Sequence, residues 1–80
     1  MHHDLKLHPE WFDAKAAGKK SWELRSNLDR DFARYDTVTF HEWDPEKKEY
    51  TGWKIGPKDI VLVLAESDLL KPGTVIFSHN

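Results

Sequence analysis

The chain contains no cysteine, one methionine, four glycines and four prolines, and its longest apolar run, Ile60–Ala65, is six residues. Each scarcity excludes something. Without cysteine there is no disulfide framework and no thiolate zinc site. A six-residue run is far short of the roughly 18–20 apolar residues that a membrane-crossing helix needs. The opening stretch "MHHDLKLHPEWF" lacks the basic segment and long apolar core of a secretory signal, so a cytoplasmic location is expected. Twelve Lys plus Arg against fourteen Asp plus Glu leave a formal charge of −2. That balance excludes a uniformly basic surface of the kind that binds duplex DNA by counterion release.

What is present fits one small domain of 80 residues, in which every strong apolar segment is committed to a single core. "DLKLH" alternates Leu5 and Leu7 around Lys6, the period of a half-buried strand. Pro9 and Glu10 suit a first helical turn, and Trp11, Phe12, Lys15 and Ala16 continue at helical spacing. A helix of about three turns is expected over residues 8–17, with Gly18 as its C-cap and with Trp11 and Phe12 anchoring the core.

From Ser21 the period becomes two, so Trp22 and Leu24 are expected to face the core and Ser21, Glu23 and Arg25 the opposite side. "SNLDRD" is turn chemistry. "YDTVTFHEW" reads as a strand with Val38 and Phe40 inward, "DPEKKEYTG" as a solvated hairpin tip, and Tyr50 to Ile55 as the returning strand. Ile60 to Ala65 predicts a strand buried on both faces, and "TVIFSH" a last strand after the break at "LLKPG". About five to six short strands and one N-terminal helix predict an α+β fold, a small, partly closed β-barrel whose opening the helix covers.

Charge is unevenly placed. Lys15, Lys19, Lys20, Arg25, Arg30 and Arg34 fall within 20 residues, whereas acids dominate "HEWDPEKKEY" and the segment around Glu66 and Asp68. One basic face on an acidic chain is therefore expected. Within "GKKSWELRSNLDRDF", Lys20 leaves the helix end while Glu23 and Arg25 stand two apart on one strand face. A guanidinium grips phosphate bidentately and an ammonium adds a point charge; taken without further information, the same residues read as ordinary exposed ion pairs. Arg30, in the turn, is a second candidate phosphate contact. Five histidines invite a metal reading, but His2 and His3 are expected at a mobile terminus and could be a cloning remnant. His8, His41 and His79 are far apart without acids at ligand spacing, so neither a metal nor a cofactor is expected. Trp43 and Trp53 flank the hairpin, where packing beneath it competes with stacking on bases.

The string Gly18-Lys19-Lys20-Ser21-Trp22-Glu23-Leu24-Arg25 matches G-x-K-x-x-E-x-R and resembles the signature of the ASCH superfamily, a group with the PUA-like barrel fold. "LKLHPEWFDA", "DRDF" and "HEWDPEKKEYTG" extend the likeness to the small bacterial and phage domain of unknown function within that superfamily. One departure stands out. The family usually carries glycine before the Asp of the turn after "DRDF", and here Tyr35 precedes Asp36; a non-glycine residue tolerates positive φ poorly, so this turn is where a local difference is expected.

The resemblance implies binding of single-stranded RNA or a nucleotide-like ligand in a polar cleft between helix and barrel, with Lys20, Glu23, Arg25 and Arg30 as contacts. A branch of the superfamily deacylates acetylated cytidine with a lysine, a hydroxyl residue and a carboxylate. By that likeness Lys20, Ser21 and Glu23 would carry an amidohydrolase reaction, Lys20 activating Ser21 or a water and Glu23 acting as general acid/base. A third reading is a phage-encoded adaptor that binds a host protein through the hairpin from Glu42 to Glu49. A monomer is expected in each case.

Overall fold

The structure is a computed structural model that describes residues 1–28, 30–65 and 70–80. In chain order it contains β1 (His2–Leu7), α1 (Pro9–Ala16), β2 (Trp22–Ser26), β3 (Thr37–Asp44), β4 (Glu49–Leu64) and β5 (Thr74–His79). The five strands form one sheet in the order β1-β3-β4-β5-β2. Strands β1 and β3 run parallel, and every other neighbouring pair is antiparallel. The α+β class is as expected, but the sheet is not closed: β1 and β2 are its two edges, so the barrel is not formed.

Strand count falls at the lower end of expectation because two anticipated strands are one. Residues 49–59 of β4 pair with β3, and residues 60–64 pair with β5. "GP" at residues 56–57 does not end the strand. Between Val38↔Lys58 and Phe40↔Ile55 the register slips by one residue, a β-bulge that absorbs Pro57, which has no N–H to give the ladder. Gly56 is required there: at φ +120 a Cβ would lie 2.7 Å from the Val38 carbonyl oxygen.

The core is built from Leu5 and Leu7 of β1, Phe12 of α1, Phe32, Val38 and Phe40 of β3, Ile60 of β4, and Val75 and Phe77 of β5. Four expectations about it are corrected. The helix is shorter, and Trp11 is half-exposed while Phe12 alone anchors it. Its end is a Schellman motif with Ala17 as C-cap and Gly18 just beyond at φ +75, Gly18 N–H donating to Lys15 O and Lys19 N–H to Ala14 O. The apolar run is not buried on both faces: Ile60 is fully buried, whereas Leu62 is 65% and Leu64 49% exposed. His3 does not lie on a mobile end, since it is buried inside β1 and bonded to Asp36.

The largest correction concerns β2, whose facing is inverted. Trp22 is 49% and Leu24 54% exposed, while Glu23 is 2% exposed. Directly opposed residues in a sheet share a face. Glu23 lies opposite the fully buried Phe77, and Trp22 and Leu24 opposite Ser78 and Ile76, so β5 draws Glu23 inward and turns its apolar neighbours out. The segment from Glu66 to Leu69 lies outside the described residues, as does Asp29 of the "SNLDRD" turn.

Candidate functional site

Helix α1 and the start of β2 meet at one end of the open sheet. The Schellman turn reverses the chain after Ala17, which brings Lys20 back toward Glu23 and beside Trp11. Three cations converge on the Glu23 carboxylate. Lys20 Nζ lies 2.8 Å from Oε2, Lys15 Nζ 3.7 Å from the same oxygen, and Arg25 Nη2 3.0 Å from Oε1. The Arg25 contact is a hydrogen bond, whereas the Lys20 ammonium meets the buried Oε2 at hydrogen-bonding distance but off the usual angles, so among the described residues Oε2 has no well-aligned donor. Burial pushes the Glu23 carboxyl up, but Lys20, Lys15 and Arg25 outweigh it and hold the group below the usual carboxylate range.

Lys15 is the residue that sequence reasoning missed. Its side chain is 1% exposed, deeper than any of the cations singled out above. Nζ donates to Lys20 O at 3.2 Å, to Trp22 O at 3.4 Å and to His79 Nε2 at 2.6 Å, and it stands 4.3 Å from the Phe40 ring centroid. His79 Nδ1–H donates to Asn80 O, which leaves Nε2 as the acceptor for the lysine. Burial pushes the Lys15 ammonium down to about 8 against the pull of Glu23, and burial likewise holds His79 below its ordinary value. The signal for Lys15 was only its place one turn after Phe12 on the helix, three residues on, which puts both on the covered face.

Arg25 spans the gap between the sheet's edges: Nη2 also donates to Lys6 O of β1 at 2.9 Å. Beside it opens a cleft of about 300 Å³ lined by Lys6, Leu7, His8, Trp11, Lys20, Glu23, Leu24 and Arg25. Lys20 Nζ stands 5.0 Å from the ring centroids of both Trp11 and Trp22. Trp11 lines the cleft, whereas the inversion of β2 leaves the Trp22 indole exposed beside Lys20 and outside the cleft's lining.

Lys20, Glu23 and Arg25 are brought together. Arg30 is not; it lines a neighbouring recess of about 430 Å³ with Arg25, Lys6 and Tyr50. Ser21 is exposed, and among the described residues no hydrogen bond joins its hydroxyl to Lys20 or Glu23; it borders a third cavity together with Lys15 and His79. Trp43 packs edge-on against Tyr50 beneath Lys6, whose Nζ is 3.9 Å from its ring centroid, whereas Trp53 is exposed. The hairpin tip beyond Asp44 is exposed, its turn held by Asp44 Oδ1, which accepts from Glu46 and Lys47 N–H. Among the described residues no group of three or more His, Cys, Asp or Glu side chains is placed to hold a metal ion, and no helix is long and apolar enough to cross a membrane.

A family model described as domain of unknown function DUF3850 matches residues 2–78. The chain belongs to this family. A relative from Escherichia phage P2, an uncharacterized 12.9 kDa protein in the GpA 3'region, is 42% identical over 53 residues, covering 66% of this chain. The match takes in 46% of that relative, so the chain spans about half the length of the curated protein it resembles. The DUF3850 domain here thus places a charged, aromatic-flanked cleft at the open end of its sheet.

Proposed function

We propose that this DUF3850 domain binds a nucleotide or a short single-stranded RNA segment in the cleft bounded by Lys20, Glu23, Arg25 and Trp11. The observation that carries the reading is one buried carboxylate surrounded by three cations beside two half-exposed indoles. Glu23 neutralises only one of its three partners, so a cationic surplus faces the cleft, which suits a phosphate. Arg25, aligned by Glu23 and Lys6 O, and Lys20 supply the donors. Trp11 and Trp22 offer π-faces for a base, a contact worth roughly 1–3 kcal/mol per base and tolerant of sequence. The shared G-x-K-x-x-E-x-R pattern supports the same reading through its likeness to the ASCH superfamily, and kinship with that superfamily is part of the proposal.

Indole fluorescence and amide NMR titration with adenosine and uridine monophosphates and a short RNA test it. Trp22→Ala, which removes an exposed ring without opening the core, is expected to weaken binding about tenfold, the equivalent of roughly 1.4 kcal/mol. Unchanged affinity in both Trp22→Ala and Arg25→Ala would overturn the assignment.

One observation favours a second reading, hydrolysis of an acylated nucleoside such as acetylcytidine. A lysine held near pKa 8 is partly neutral at neutral pH and can accept a proton, and here that lysine is Lys15. The expected division of roles then changes: Glu23, held below the usual carboxylate range, suits a base better than an acid, and among the described residues no hydrogen bond joins Ser21 to Lys20. Acetate release from acetylcytidine, lost in Lys15→Met, would establish this reading; no acetate at high protein concentration removes it.

A further inference from the structure

The cleft is the middle of three recesses that share walls. The first is lined by Arg30, Arg25, Lys6 and Tyr50. Arg25 and Lys6 also border the cleft, and Lys20 borders both the cleft and a third cavity of about 520 Å³. That cavity lies between the end of α1 and the bulge of β4, and four lysines line it: Lys15, Lys20, Lys54 and Lys58. No carboxylate side chain is among its lining residues.

The charge count along this strip is lopsided. Among the described residues, seven of the chain's twelve basic side chains line the three recesses, against two of its fourteen acidic ones, Asp4 and Glu23. Both acids are already engaged, Asp4 with His41 Nε2 at 2.9 Å and Glu23 with its three cations. Seven against two leaves a surplus of five positive charges on a chain whose net charge is −2. Aromatic rings interrupt the cations at Tyr50 in the first recess and at Trp11 in the second. The third has only lysines, one histidine and small or polar groups besides Ile55.

We propose that the three recesses form one track for an extended single strand of nucleic acid, with phosphates beyond the nucleotide in the cleft seated in the four-lysine cavity. This rests on the nucleotide reading of the cleft and narrows it: the ligand is a strand, not a nucleoside or a mononucleotide. Cations in series follow a phosphodiester backbone, and rings spaced between them take unpaired bases whose faces are free, a combination that a paired duplex cannot use. A neutral acylated nucleoside would leave the lysine cavity without an anion, so the track also separates the two functional readings. Lys54 and Lys58 lie on β4, outside the Glu23 cluster, and enter the site only through this inference.

The test is a length series: uridine, uridine monophosphate, and oligouridylates of two, four and eight nucleotides, titrated into the wild-type chain and into a Lys54→Ala/Lys58→Ala double variant. Affinity is expected to climb at least tenfold from monophosphate to tetranucleotide, with a salt dependence that steepens by about 0.7 in log–log slope per added phosphate contact. The double variant is expected to lose about tenfold for the octanucleotide while keeping its monophosphate affinity. Monophosphate and octanucleotide binding equally would overturn the track and leave the cleft reading standing. No binding of any member would overturn both. Inorganic polyphosphate of matching charge binding as tightly as the octanucleotide would also overturn the track, because the rings would then contribute nothing.

Discussion

Two buried carboxylates, Asp36 and Glu23, sit in surroundings that differ in kind. Asp36 is closed. Its Oδ1 accepts from the Met1 ammonium at 3.0 Å, and its Oδ2 from His3 Nε2 at 2.9 Å and Ala33 N–H at 3.1 Å. Glu23 is open. Three cations share it, Oε2 has no well-aligned donor among the described residues, and Lys20 and Arg25 remain partly exposed beside a cleft. A cluster that only ties strands together satisfies each polar atom, as Asp36 does between β1 and the turn before β3. A cluster with surplus cations beside a cleft is the arrangement that the proposed ligand would use. The two clusters thus differ in hydrogen-bond closure, where burial alone would class them together.

The largest effect is expected from Glu23→Gln. It leaves Lys15, Lys20 and Arg25 without their shared anion, and breaking a buried pair costs about 3 kcal/mol or more. Urea unfolding measures it; a loss below about 1 kcal/mol would mean that solvent already stabilises these cations.

Asp36→Asn should cost about 2 kcal/mol, in the range of a charge-assisted hydrogen bond, and its signature is in pH. The His3 hydrogen bond lowers the Asp36 carboxyl to about 2 against the opposing effect of burial, with the Met1 ammonium and the Ala33 N–H adding to the lowering. A carboxyl depressed in the folded state contributes stability that is complete above its unfolded value near 3.9 and is lost as pH falls through the folded one. Acid unfolding of wild type and Asp36→Asn should therefore converge between pH about 4 and 2.

Lys15 gives a slope of the same sign in an alkaline window. Its folded pKa of about 8 is below the ordinary 10.5, so between those values the unfolded chain holds more protons and stability rises with pH. Wild type should gain on Lys15→Met from pH 8 to 10 in denaturant titrations. A flat difference across that window would show that Lys15 is charged at full strength in its pocket.

The smallest change sharpens the Asp36 side of the comparison. Tyr35 retains the left-handed conformation that its turn demands, at φ 76, even though it is not glycine. Tyr35→Gly is expected to stabilise by about 0.5–1 kcal/mol, strain relief outweighing the entropy glycine adds to the unfolded chain. Thermal unfolding reads it directly, and a lower midpoint would assign the Tyr35 ring, 4.9 Å from the Arg34 guanidinium, more weight than its exposure suggests.

Much of the architecture was legible along the chain. The alternation of Leu5 and Leu7, of Val38 and Phe40, and of Val75 and Phe77 marks strands that bury those residues, and Gly18 marks the helix end. Less legible was the strand from Glu49 to Leu64, because a bulge can carry glycine and proline through a ladder that their local propensities would break. The candidate site was half visible. That Glu23 and Arg25 share a face follows from the pleat, but Lys15 reads as a helix-surface lysine until the fold covers it.

The sequence by itself determined which residues of each strand stand together, since alternation is a property of the local backbone. Only the tertiary structure decided which of the two faces is covered. In β2 the choice is made by β5, some 50 residues away, which sets Glu23 opposite Phe77 and Trp22 opposite Ser78. Burying a carboxylate in place of an indole is tolerated there because Lys15, Lys20 and Arg25 reach it from the helix, the turn and its own strand, and their mutual arrangement exists only once the chain has folded.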